Sequence, residues 1–235
     1  MKLLMFKRLF NCVPNTITLL NLLSGCMAIV MSFRAYEPVG ALTGLQWCYV
    51  FIAAAALFDF LDGASARLMH AFSPLGKDLD SLSDLVSFGV APAMMMLNVI
   101  GHHSASCWAP FVALLLPAFG ALRLAVFNND SEQATEFRGL PIPANAIFWI
   151  GVSAWITDYG YPGTAVVAVL VVLLSLAMTG RFRMFSLKLK NFRVRENFSR
   201  YVIILAAVLF VIQYGLAGLA WTVVLYFLLS FFRRR

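Results

Sequence analysis

Hydrophobic residues in this chain fall into long blocks separated by short polar links. The blocks are far longer than the alternating runs of a half-buried strand or the one-sided stripes of a soluble helix. Eight runs stand out, over residues 15–35, 43–70, 79–99, 107–127, 142–157, 162–179, 200–214 and 217–232. Each is read as a membrane-spanning helix, the last four being short enough that six spans is the alternative count. The predicted fold is all-α: a polytopic transmembrane helical bundle with a six-span core, two further spans and both termini cytoplasmic. Residues 1–180 are expected to form the core, and residues 181–235 a basic interfacial segment with the two C-terminal spans.

Composition agrees with that pattern. The 235 residues are 61% hydrophobic and 12% charged, with a mean hydropathy of +0.83, whereas soluble domains carry about a quarter charged residues. The net charge of +7 raises the possibility of a nucleic-acid partner, but its placement argues for a membrane. With the N-terminus inside, every Lys and Arg except Arg34 falls on the cytoplasmic side, as the positive-inside rule requires. No nucleic-acid partner is expected. The segment "RFRMFSLKLKNFRVRENFSR" is read as an attachment to anionic headgroups, and "MKLLMFKRLF" as a stretch lying on the inner leaflet. Cys12, Cys26, Cys48 and Cys107 match no metal or redox spacing and are expected to be small packing residues. "LSGC" is not read as a lipoprotein cleavage box, because polar residues interrupt the apolar run before it and the run continues beyond it.

Against this background the segment "DFLDGASARLMHAFSPLGKDLDSLSD" is anomalous. Five of the chain's 11 acidic residues lie in it. Asp59 and Asp62 are three apart and Asp80 and Asp84 four apart, so each pair shares a helix face. The short link "HAFSPLGK" predicts that the two helices are antiparallel neighbours whose pairs converge. A charge at membrane depth costs at least about 2.5–3.5 kcal/mol, and only Arg67 and Lys77 are close by in sequence. All-oxygen donors with excess negative charge suit Mg²⁺, Mn²⁺ or Ca²⁺, and two such ions serve displacement at phosphorus. The competing readings are an ion pathway, as in a cation-coupled transporter, or structural ion pairs. Gly63, Ala64, Ser65, Ala66 and Gly76 leave backbone open beside the carboxylates for a bulky substrate, although Gly63 and Ala66 also suit helix packing. Asp78 is expected to be a solvated loop residue and His70 an interfacial one.

Asp59-x2-Asp62-Gly63-x2-Ala66-Arg67-x8-Gly76-x3-Asp80-x3-Asp84 resembles the complete signature of the CDP-alcohol phosphatidyltransferases. Three further segments resemble the branch of that family that takes serine. They are "PNTITLLNLLSG", with Pro14, Asn15, Thr18 and Asn21; "RLAVFN", where Val126 replaces a second base; and "FRGLPIPANA". The resemblance implies transfer of a phosphatidyl group from CDP-diacylglycerol to an alcohol with release of CMP, in the cytoplasmic membrane and as a homodimer. It implies that Asp59, Asp62, Asp80 and Asp84 hold two divalent ions and that Asp84 is the general base. Asn15, Thr18, Asp62, Gly63, Ala66, Arg67 and Gly76 would border the CDP moiety. L-Serine is the expected acceptor, with glycerol 3-phosphate or inositol as alternatives. A serine carboxylate calls for a cation, and Arg123, Arg138 and Lys188 are the candidates. Pro141 and Pro143 would stiffen that pocket or simply turn the chain.

Overall fold

A computed structural model describes residues 2–129, 137–180, 182–184 and 194–232; Lys188 lies outside them, and so does most of the basic segment around it. All eight apolar runs are helical. Helix α1 (Lys2–Ser32) is continuous through Pro14, so Lys2 to Phe10 extend the first helix. The Pro14 ring cannot donate to the carbonyl one turn back, while its own carbonyl accepts a hydrogen bond from Thr18 Oγ1 (3.0 Å). A two-residue hairpin, β1 (Pro38–Val39) and β2 (Leu42–Thr43), pairs Pro38 with Thr43 and Val39 with Leu42. Helix α2 (Gly44–Leu68) begins with a reciprocal capping box between Thr43 and Gln46, which satisfies two of its free amides.

The link to the next helix turns at exposed His70, with φ +50°. Ser73 then caps α3 (Pro74–Asp84), its hydroxyl accepting from the Gly76 amide (3.0 Å). Asp78 is an exposed helical residue rather than part of a loop. The rod continues through a π-helical turn, Leu85–Val90, into α4 (Ala91–His103). A 3₁₀ segment, Ala109–Leu114, leads into α5 (Leu115–Asn129). Strands β3 (Phe137–Arg138) and β4 (Arg183–Met184) pair antiparallel and bracket α6 (Ile142–Tyr159) and α7 (Thr164–Thr179). Helices α8 (Val194–Tyr214) and α9 (Gly218–Phe232) are joined through a 3₁₀ turn.

Helix α1 is the hub: α2 packs along it, and α3, the π-helical turn and α4 pack on it as well. Helices α2 and α3 were expected to be direct neighbours. Instead each packs chiefly on α1, while their carboxylates still come together. Gly25 makes the close approach possible, since a Cβ there would lie 2.7 Å from Ser87 Cα. Fully buried Phe88, Met95, Met96, Ile100 and Trp149 fill the centre, while apolar side chains such as Ile212 (77% exposed) and Leu205 (61%) point outward, as lipid contact requires. Among the described residues, five helical stretches are long and apolar enough to cross a membrane: Val13–Ser32, Gly44–Leu68, Pro74–His103, Ala109–Asn129 and Asn197–Phe231. The last contains both α8 and α9. Of the cysteines with described side chains, only Cys48 packs in the interior; Cys26 and Cys107 are exposed, so the packing role expected of them holds for Cys48 alone.

Candidate active site

The last turns of α2 and the first turns of α3 meet at one end of the bundle, beside the turns of α1 that carry Asn15 and Thr18. Asp59, Asp62 and Asp80 each offer a carboxylate oxygen there, and these oxygens all lie within 4.8 Å of one another. The helical spacing does this locally: α2 presents Asp59 and Asp62 on one face, and the Ser73 cap fixes the start of α3 so that Asp80 faces them. Asp62 is 6% exposed, and its Oδ2 is buried without a hydrogen-bond donor. A buried carboxylate oxygen left in that state is costly, and three carboxylates so close together repel. A hard divalent cation with oxygen ligands relieves both costs, so this donor set fits a metal ion.

An open cleft of about 240 Å³ lies against the triad. Asn15, Thr18, Asp62, Gly63, Ala66, Arg67 and Gly76, the residues expected around a nucleotide, all line it. Pro14, Ala71, Phe72, Ser73 and Lys77, which carry no expected role at a nucleotide, also line it. A Cβ on Gly63 would meet only Arg67 Nη1, at 3.8 Å, so this glycine opens the cleft and does not pack helices. Gly76 differs: a Cβ there would lie 3.1 Å from Ser73 Oγ and 3.2 Å from Asn15 Oδ1. Arg67 is exposed and makes no ion pair among the described residues, which leaves its guanidinium available to an anion. Lys77 donates to the Asn128 carbonyl (3.0 Å), and Asn128 Nδ2 donates to Ser81 Oγ (2.8 Å). This tie binds the end of α5 to α3.

Asp84 stands apart from the triad of close oxygens but within Coulombic range of Asp59, Asp80 and Asp62. Its Oδ1 accepts from Asn21 Nδ2 (3.2 Å). Asn21 is fully buried and was assigned no role from the sequence. The signal was present, since Asn15, Thr18 and Asn21 recur every three residues on one side of α1. Arg123 is 8% exposed. It lies 6.0 Å from the Phe127 ring centroid and within Coulombic range of Asp84. Its Nε has no hydrogen-bond partner. For Arg138 only the backbone is described, in β3. Pro141 precedes α6 as its N-cap and Pro143 sits in the first turn, the positions where a ring costs no hydrogen bond.

These features define a helical membrane protein with a carboxylate cluster and a free arginine flanking a cleft at one end of the bundle, a build suited to anionic phosphate compounds held by metal. The chain belongs to the CDP-alcohol phosphatidyltransferase family, whose pattern it matches over residues 11–180. Relatives named CDP-diacylglycerol–serine O-phosphatidyltransferase include one from Mycobacterium leprae, 34% identical over 155 residues, which cover 63% of this chain and 48% of the relative. One from Bacillus subtilis is 36% identical over 139 residues, covering 57% and 70%. One from Saccharomyces cerevisiae is 37% identical over 149 residues, covering 58% and 51%. The chain spans about half the length of the mycobacterial and yeast relatives.

Proposed function

We propose that the chain transfers the phosphatidyl group of CDP-diacylglycerol to the hydroxyl of L-serine, releasing phosphatidylserine and CMP. The observation that carries this reading is the Asp59–Asp62–Asp80 triad beside a cleft lined by Gly63, Ala66, Arg67 and Gly76 of the same signature. The names of the relatives favour serine as the acceptor. Asp59, Asp62 and Asp80 would hold the metal, Mg²⁺ or Mn²⁺, with Asp84 as a further ligand if a second ion binds. A bound divalent ion supplies charge neutralisation at the pyrophosphate and at the leaving CMP oxygen. Arg67 offers a planar donor fork to a phosphate. Asn15, Thr18 and Gly76 border the nucleotide, and Gly63 and Ala66 keep the cleft wall low.

The transfer is read as direct displacement. Asp84 takes the proton of the serine hydroxyl as its oxygen attacks phosphorus, and the phosphorus–oxygen bond to CMP breaks. Arg123, a buried cation with an unpartnered donor, receives the serine carboxylate. Eight spans with both termini cytoplasmic would place the cleft at the inner surface, where the lipid substrate keeps its tails in the bilayer and serine arrives from the cytoplasm. The core would be residues 1–180, with a C-terminal hairpin added. The test is CMP release by the purified chain with CDP-diacylglycerol, Mn²⁺ and, in turn, L-serine, glycerol 3-phosphate or inositol. Release that depends on serine is expected; release with another alcohol and none with serine overturns the acceptor assignment.

A further inference from the structure

Asn21 occupies a position that packing alone does not explain. It sits on the inner face of α1, fully buried, two turns beyond Asn15. Its Nδ2 donates to Asp84 Oδ1 at 3.2 Å. Its backbone carbonyl is held in turn by Ser87 Oγ at 2.9 Å, from the π-helical turn that follows Asp84. The close approach of Gly25 to Ser87 locks the same two elements together. Asn21 and Asp84 are therefore fixed relative to one another from both sides. With Nδ2 committed to the carboxylate, the other end of the amide is an acceptor, and Asn21 Oδ1 is buried with no donor. An unmet buried acceptor is costly. Arg123, within Coulombic range of the same carboxylate, has the opposite vacancy, a buried Nε with no acceptor. One group lacks a donor and the other an acceptor at Nε; Asn21 reaches Asp84 by its hydrogen bond and Arg123 through its charge.

We propose that Asn21 positions Asp84 and that its side-chain oxygen receives the ammonium of an amino-acid acceptor whose carboxylate lies on Arg123. This rests on the serine reading above. It explains how a site beside a general base would select a zwitterion: the hydroxyl meets Asp84 while the two charged groups of the acceptor meet one donor and one acceptor fixed in the fold.

The test is steady-state kinetics of the full chain and its Asn21→Ala variant, with KM measured separately for serine and CDP-diacylglycerol. The expected result is a kcat lower by about 10- to 100-fold, as for loss of other orienting partners, and a serine KM raised about tenfold or more. The KM for CDP-diacylglycerol stays within about twofold. Because Asn15 and Thr18 on the same helix line the nucleotide cleft, a merely loosened α1 would raise both KM values together, and that outcome overturns the proposal. So does a variant whose kcat and serine KM match wild type. If Asn21→Ala does not fold, the wild-type protein decides, through inhibition by L-alanine and by propionate in competition with serine. L-Alanine is expected to bind at least about tenfold more tightly; equal inhibition overturns the ammonium contact. If the wild-type protein uses another alcohol and not serine, the acceptor reading falls on its own. The hold of Asn21 on Asp84 is then judged by kcat with that alcohol.

Discussion

Two glycines of the signature do opposite jobs, and substitution separates them. Gly63 lies inside α2 with open space where a Cβ would go. Alanine in a helix interior is more favourable than glycine by about 0.5–1 kcal/mol. Gly63→Ala is therefore expected to leave the melting temperature unchanged or slightly raised while CMP release falls, because the methyl group stands in the cleft. Thermal unfolding and activity measured on one preparation check this. Gly76→Ala meets Ser73 Oγ and Asn15 Oδ1, so it strains the α3 cap and the cleft wall together. Its expected signature is a lower melting temperature and a higher KM for CDP-diacylglycerol. Asp62 supplies the buried oxygen without a donor. Asp62→Asn removes the charge that a cation would neutralise, and its expected effect is loss of Mn²⁺ binding, read by titration, with the helical content unchanged. Treatment of the wild-type protein with a chelator is expected to abolish CMP release, and Mn²⁺ or Mg²⁺ to restore it.

At the scale of elements, the approach of α1 to the π-helical turn sets the position of Asp84. Gly25→Ala would force the new carbon against Ser87, and overpacking of this kind costs about 1–3 kcal/mol. A lower melting temperature and reduced kcat are expected together, since the clash pushes on the helix that carries Asn21. Little of this coupling was legible in the sequence. The helical character of the eight apolar runs was, because lipid favours long apolar helices, although five stretches among the described residues are long and apolar enough to cross a membrane. The convergence of Asp59, Asp62 and Asp80 was also legible, since it follows from helical spacing and a short link. The π-helical turn was not: Ala91 N–H reaches Val86 O, five residues back, an arrangement that local propensity does not encode. That α2 and α3 both pack chiefly on α1 was equally hidden, because a short link fixes the distance between helix ends and not which third helix they share. The role of Asn21 is hidden for a related reason. An asparagine in an apolar run is conspicuous, but its partner Asp84 lies 63 residues away, and pattern within one helix cannot name it.

For the whole molecule, the charges, the cleft and the outward apolar surface have to agree on one orientation. The cleft lies at the end holding the α2–α3 link, where Arg67 and Lys77 are. The opposite end holds the β1–β2 hairpin, a stack of Tyr36 on His102 (3.8 Å between centroids) and of His103 on Tyr161 (4.6 Å), and a polar cavity of about 420 Å³ that includes Cys107. Among the described residues Arg34 is the one Lys or Arg found there, and Glu37 pairs with it at 2.7 Å. Among the described residues that end therefore carries almost no net positive charge, as the proposed orientation expects of a translocated face. The orientation predicts chemical access. A membrane-impermeant maleimide applied to intact cells is expected to modify Cys107, which is a free, exposed thiol. A cysteine introduced at Lys77, in a chain whose native cysteines are replaced, is expected to react only after permeabilisation. The reverse pattern would put the cleft outside and remove the supply of cytoplasmic serine on which the proposed reaction depends. Equal labelling of both sites in intact cells would contradict a single orientation altogether.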